Sequence, residues 1–191
     1  KQVQKATVSK NGYTRYICSC GNITNQKTIY YPKKVQLSAT SYVYDGKVKK
    51  PAVVAKNNKG EKITSKDYTV KYAAGCKNVG TYTVKVTFKG DYKGTFTKTF
   101  KINPKGTSLS KVKAARKSFS ATWKKQSKQT SGYQLQYSTN KKFAKSVKTS
   151  TISKNTTVKK TVKKLKAKKT YYVRVRTYKT VKVGKKSVKI Y

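Results

Sequence analysis

Histidine is absent from this 191-residue chain, and its acids number only four, Asp45, Glu61, Asp67 and Asp91. These stand at least six residues apart with no second catalytic residue type beside them, so general acid-base or nucleophilic chemistry has almost nothing to use. Two carboxylates meeting in space, Asp45 with Asp67 for example, is the one route left to catalysis. An Asp ahead of Gly or Tyr is more commonly a turn or strand-end residue. The expectation is a protein that is not an enzyme and takes no cofactor.

Cysteine is as scarce. Cys18, Cys20 and Cys76 exclude a disulfide framework, and one thiol stays odd if a bridge forms. Cys18-Ser19-Cys20-Gly21 has C-x-C spacing where half a zinc ribbon carries C-x-x-C-G. A closed zinc site needs four ligands, more than the Cys and His of this chain supply. No metal is expected, and unpaired or loosely oxidised thiols are. No apolar run nears the length of a membrane span, and no charged-then-apolar leader opens the chain. A soluble chain without membrane insertion, with any leader outside it, is the expectation.

What is abundant is lysine. Lys and Arg total 48, giving a formal net charge of +44, and the only arginines are Arg15, Arg116, Arg174 and Arg176. Such a charge opposes compaction by self-repulsion and attracts polyanions. Lysine is a hydrated point charge, whereas planar bidentate recognition of phosphate or base edges favours Arg. The composition therefore points to weak, non-specific polyanion binding ahead of sequence-specific nucleic-acid readout. AT-rich coding also favours Lys, Asn, Ile and Tyr, and on that reading much of the charge is a solvated face without a partner.

Apolar residues alternate with period two, as in Tyr82, Val84, Val86 and Phe88 separated by Thr and Lys, and no segment sustains helical spacing. Turn signals recur at Asn11-Gly12, Asp45-Gly46, Lys59-Gly60, Lys93-Gly94, Ser131-Gly132 and Gly184. The fold class is all-β, with two tandem β-sandwiches behind a short β-hairpin lead-in. The lead-in covers residues 1–32, the first sandwich 33–103 and the second 107–191, with Asn103-Pro104-Lys105-Gly106 as linker.

The second sandwich resembles a fibronectin type III domain. Trp123 ends Phe119-Ser120-Ala121-Thr122-Trp123, followed by Gly132-Tyr133-Gln134-Leu135-Gln136-Tyr137-Ser138. Leu165 precedes Tyr171 by six positions, a spacing that resembles the family's tyrosine corner, and Tyr171 opens Tyr171-Tyr172-Val173-Arg174-Val175-Arg176. The first sandwich is similar to Ig-like repeats in large secreted proteins of Gram-positive gut anaerobes. Its residues for this are Leu37, Ser41 to Lys47, Asp67-Tyr68-Thr69-Val70 and Lys77 to Tyr82. The resemblance implies a module secreted from, or held on, a bacterial cell surface; such sandwiches host many functions. Ser187 to Tyr191 supply only a short last strand, the expectation for a piece of a longer protein or a processed product.

Two places invite a partner. Tyr172, Arg174, Arg176 and Tyr178 alternate with Tyr171, Val173 and Val175, so two arginines and two tyrosines are expected on one outer strand face, with Gln134 and Gln136 on the neighbouring strand. Arg and Tyr are enriched in binding hot spots, although cross-strand aromatic and cationic pairs also simply cover sheet faces. Lys89-Gly90-Asp91 reads as a variant of the integrin-recognition tripeptide, and equally as a hairpin turn that needs Gly. The leading expectation is an adhesion or display module, monomeric, contacting wall polymers, mucin glycans or a host protein. The alternative is a secreted, irisin-like signalling ligand acting on host cells, through integrins in one version.

If lysine charge drives polyanion binding, retention on immobilised heparin should fall steeply with salt as counterions are released. Retention that persists unchanged into high salt contradicts that reading.

Overall fold

The computed structural model describes residues 1–191. It holds seventeen β-strands and one short 3-10 turn, Ser65–Asp67, and no helix is long and apolar enough to cross a membrane. Two compact units are present. The first comprises residues 1–42, 48–76 and 81–101, the second residues 43–47, 77–80 and 102–191.

The lead-in is a three-stranded antiparallel sheet of β1 (Gln2–Gln4), β2 (Gly12–Ile17) and β3 (Ile23–Ile29), one strand more than the expected hairpin. The extra strand exists because Thr7 closes a tight turn: its Oγ1 accepts the Lys10 N–H at 2.9 Å. That turn returns the chain onto Gln4, which pairs with Tyr13. A Cβ on Gly12 would lie 2.1 Å from the Gln4 carbonyl oxygen, so only glycine passes there. The lead-in also grips the body of its unit. The Ala6 N–H donates to the Asp91 carbonyl at 2.9 Å, and the Lys93 N–H to the Ala6 carbonyl at 2.8 Å.

The first sandwich has one sheet of β4 (Pro32–Leu37), β6 (Val53–Asn57) and β7 (Lys62–Ile63), in that order. The facing sheet runs β5 (Ser41–Val43), β10 (Thr95–Asn103), β9 (Gly80–Phe88) and β8 (Tyr68–Tyr72). Alternation decides the faces: Val84, Val86 and Phe88 are buried while Thr83, Lys85 and Thr87 are exposed. Each buried side chain of this size contributes about 1.5–3 kcal/mol. Val35, Ala55 and Ile63 supply the other layer.

The second sandwich pairs β11 (Leu109–Ala115), β12 (Ser118–Trp123) and β15 (Lys159–Val162) in one sheet. The other has the order β14 (Lys148–Ile152), β13 (Gly132–Ser138), β16 (Tyr172–Val183) and β17 (Lys186–Ile190). Trp123 packs on Tyr133 with ring centroids 5.4 Å apart, inside a cluster with Phe119, Ala121, Leu135, Ile152, Val162 and Leu165. The buried Tyr133 hydroxyl accepts the Gln126 N–H at 2.8 Å and reaches the Asn155 carbonyl at 2.9 Å. Burial of that polar tip is therefore matched by hydrogen bonds. Tyr171 accepts the Lys166 N–H at 3.2 Å, and the Leu165 N–H donates to the Lys117 carbonyl at 2.9 Å. The loop ahead of β16 is thus pinned to the turn between β11 and β12.

Gly132 begins β13 where a Cβ would stand 2.0 Å from the Ile152 carbonyl oxygen and 3.0 Å from the Tyr178 hydroxyl. Gly132→Ala is expected to lower stability by about 2 kcal/mol or more, because the obstacle is backbone of the paired strand. Denaturant unfolding coincident with that of the unaltered chain would refute this.

Candidate partner-binding surface

Antiparallel pairing sets Gln134 beside Arg176 and Gln136 beside Arg174 across β13 and β16. It also sets Gln134 beside Thr151 and Gln136 beside Thr149 across β13 and β14. Two parallel rows of polar side chains result. In one, Arg174 Nε donates to Gln136 Oε1 at 2.8 Å and Gln136 Nε2 donates to Thr149 Oγ1 at 3.1 Å. In the other, Arg176 donates from Nε at 3.0 Å and Nη2 at 2.8 Å to Gln134 Oε1. Gln134 Nε2 in turn reaches Thr151 Oγ1 at 3.3 Å.

Each guanidinium also lies over a ring. Arg174 is 4.2 Å from the Phe143 centroid and Arg176 is 3.7 Å from that of Tyr191. Such stacking adds about 0.5–2 kcal/mol and fixes the plane of the cation. No Asp or Glu occurs anywhere in residues 102–191, so no acidic side chain of this part of the chain neutralises the pair. Arg174, Arg176, Gln136 and Val175 line a shallow depression of about 290 Å³. Two oriented planar cations with unspent N–H groups suit carboxylate, sulfate or phosphate.

Of the expected residues, Tyr172 is half-buried and the two arginines are exposed on one face. Tyr178 is a correction: it is only 3% exposed. It holds the outer-face position that alternation assigns, but Tyr191 and Lys189 cover it, with the Tyr191 ring 6.2 Å away and the Lys189 Nζ 5.1 Å from its ring. Its hydroxyl donates to the Ile152 carbonyl at 3.3 Å. Tyr171, Val173 and Val175, whose alternate positions assign them to the core, are half-buried. Phe143 and Tyr191 are members of the surface that sequence reasoning missed. Phe143 sits in a loop with φ 54°, outside any alternating run.

In the first unit, Lys89, Gly90 and Asp91 are all exposed in the turn between β9 and β10, with Gly90 at φ 65°. The turn is braced: the Lys89 N–H donates to the Asp67 carbonyl at 2.9 Å, and Asp91 accepts from Ala6 as described. Tyr92 lies close to Asp67, Asp91 and Glu61; burial first, then these carboxylates, raise its phenol pKa. Asp45 instead accepts the Lys47 N–H at 2.9 Å in its own turn. Lysines face one another across strands here, Lys34 with Lys56, Lys56 with Lys62, and Lys71 with Lys85. Directly opposed like charges destabilise a sheet.

Cys18 and Cys20, expected as unpaired or loosely oxidised thiols, are joined in a disulfide. Cys76 is a buried thiol donating to the Ala73 carbonyl at 3.0 Å. No group of three or more His, Cys, Asp or Glu side chains is placed to hold a metal ion.

Residues 102–191 match the family described as fibronectin type III domain. Among solved structures, the chain is similar to the chicken CNTN1 FN1-FN3 domains at 13% identity and TM-score 0.38, covering 95% of this chain and 77% of that one. It is also similar to domains A168-A170 from titin at 16% identity and TM-score 0.28, covering 92% of this chain and 76% of that one. No curated protein matches the chain.

Burial, and then the neighbouring Tyr191, raise the Tyr178 phenol above its ordinary pKa of 10.0. The unfolded chain therefore gives up this proton first, so the contribution of Tyr178 is complete below pH 10.0 and is lost as pH rises toward its folded value. Lysine neutralisation over the same range is common to the unaltered chain and Tyr178→Phe, so their difference isolates the phenol. The variant should lose less stability in denaturant melts between about pH 9 and 11. Parallel curves would remove Tyr178 as a buried, neutral anchor.

Proposed function

We propose that this chain is a non-enzymatic interaction module working outside a bacterial cell. It adheres to wall polymers, mucin glycans or host proteins through basic sheet surfaces. A fibronectin type III domain supports an interaction role in general terms. The observation that carries the finer reading is the Arg174 and Arg176 pair, held by Gln136 and Gln134 and stacked on Phe143 and Tyr191, in a stretch, residues 102–191, without one carboxylate side chain. Ordering both cations before binding reduces the entropy lost on contact. The partner group is an anion that accepts two hydrogen bonds in a plane, and the lysines around it supply long-range attraction. The opposed lysines of the first unit favour the same class of partner, since a polyanion laid across them relieves their repulsion.

A second reading, a secreted signalling ligand, draws support from the exposure of Lys89, Gly90 and Asp91. The brace from Ala6 uses Asp91 backbone only, which leaves the carboxylate outside.

Arg174→Lys with Arg176→Lys keeps the charge and removes the planar donors. Binding to the cell-surface target should weaken by about 2 kcal/mol or more while heparin retention stays nearly constant. Unchanged target binding by this variant, together with loss on Asp91→Ala, moves the contact to the turn and favours the signalling ligand.

A further inference from the structure

Three lysines stand side by side on the outer face of one sheet of the first unit. Lys34 of β4 pairs with Lys56 of β6, and Lys56 pairs with Lys62 of β7. Next to them in the same strands, Val35, Ala55 and Ile63 are paired in the same way and buried, so alternation turns the lysines away from the core. Adjacent strands lie about 4.8 Å apart, and like charges held that close repel. The one acid of the hairpin between β6 and β7, Glu61, is held instead by Asn57, whose Nδ2 donates to its Oε2 at 2.8 Å.

Lys34 and Lys56 also line a cleft of about 430 Å³, together with Lys33, Asn58 and Lys59. Hydrogen bonds fix one of its walls. Asn57 closes the hairpin turn, its Oδ1 accepting the Lys59 and Glu61 N–H groups at 3.0 Å each, and the Asn58 N–H donates to the Tyr31 carbonyl at 3.0 Å. Lys59 lies over the Tyr30 ring, its Nζ 5.4 Å from the centroid. Within this frame Asn58 is half-buried, and its Oδ1 is buried without a hydrogen-bond partner. An unpaired buried acceptor is costly, and turning the amide toward a donor in the cleft recovers that loss.

We propose that this cleft binds an acidic sugar of a glycan chain, with its carboxylate or sulfate among Lys34, Lys56 and Lys59 and a hydroxyl on the Asn58 amide. The proposal rests on the reading of the chain as an interaction module for anions, and gives the first unit a site of its own, built from residues other than Arg174 and Arg176. A sugar hydroxyl donates to Oδ1 and accepts from Nδ2 of one amide, which a fully deprotonated anion cannot do. The lysines supply charge without fixed geometry. Asn58 supplies geometry without charge. Nucleic acid is the poorer occupant: no arginine is in the lining to grip phosphate in a plane, and the Tyr30 face on which a base would stack carries Lys59.

The probe is trigalacturonate at about 0.15 M salt, compared with inorganic tripolyphosphate, which has charge without hydroxyl groups on carbon. In nuclear magnetic resonance titration, trigalacturonate should give saturable shifts at the amides of residues 56–60. Asn58→Leu should weaken that binding about tenfold and leave tripolyphosphate affinity at the same amides unchanged. It should also melt no lower than the unaltered chain, because the unpaired acceptor is gone. Lys34→Gln with Lys56→Gln should weaken both ligands and raise the melting temperature at low salt as repulsion is relieved. The Arg174→Lys, Arg176→Lys chain should bind trigalacturonate as before. Undiminished trigalacturonate binding by Asn58→Leu, or equal losses for both ligands, would mean charge adsorption alone and would overturn the site. A lower melting temperature of Asn58→Leu would assign Asn58 to the fold and overturn it too. Shifts centred on residues 174–176 and lost in the arginine variant would overturn this site while the anion-binding reading stands. Absence of saturable shifts at residues 56–60, with target binding still dependent on Arg174 and Arg176, would do the same.

Discussion

An interior can form in a chain with a formal charge of +44 because antiparallel strands send successive side chains to opposite faces. Lysine placed at every second position costs no burial, whereas a helix would need a far wider apolar stripe to separate the same residues. In β9 the consequence is plain: Val84, Val86 and Phe88 are buried while the intervening Lys85 stays in water. A register slip of one residue would carry that lysine into the core, at a cost no nearby carboxylate offsets. Register is therefore the quantity that pairing, turns and glycines all protect. Gly12 and Gly132 serve it directly, since each lets two backbones approach where any side chain would force them apart.

The same register builds the arginine surface. Two residues along β16 separate Arg174 from Arg176, and pairing with β13 brings one glutamine amide to each. An amide holds a guanidinium by hydrogen bond without cancelling its charge, as a carboxylate would. Hydrogen bonds of this kind add about 1 kcal/mol each at most when exposed, so the rows are a modest source of stability. Their larger effect is on order. The cations are oriented by amide and ring together and remain electrostatically unsatisfied, which is the condition of a surface poised for an anion. The opposed lysines of the first unit share the unsatisfied charge but lack the fixed geometry.

Strand alternation and the turn at Lys89 to Asp91 were legible because each depends on local rules. So was the leucine-to-tyrosine spacing that places Tyr171 beside the Lys166 N–H. The failures have a common physical origin. Tyr178 keeps the face that alternation assigns, yet its burial depends on Tyr191 and Lys189 returning along β17. Phe143 reaches Arg174 from a loop whose φ of 54° no periodicity encodes. The third strand of the lead-in follows from the turn that the Thr7 side chain closes on the Lys10 N–H, whereas the Asn11-Gly12 signal marks only where β2 begins. In each case the deciding contact is between segments distant in sequence or shaped by a loop, and pattern within one strand is silent about both.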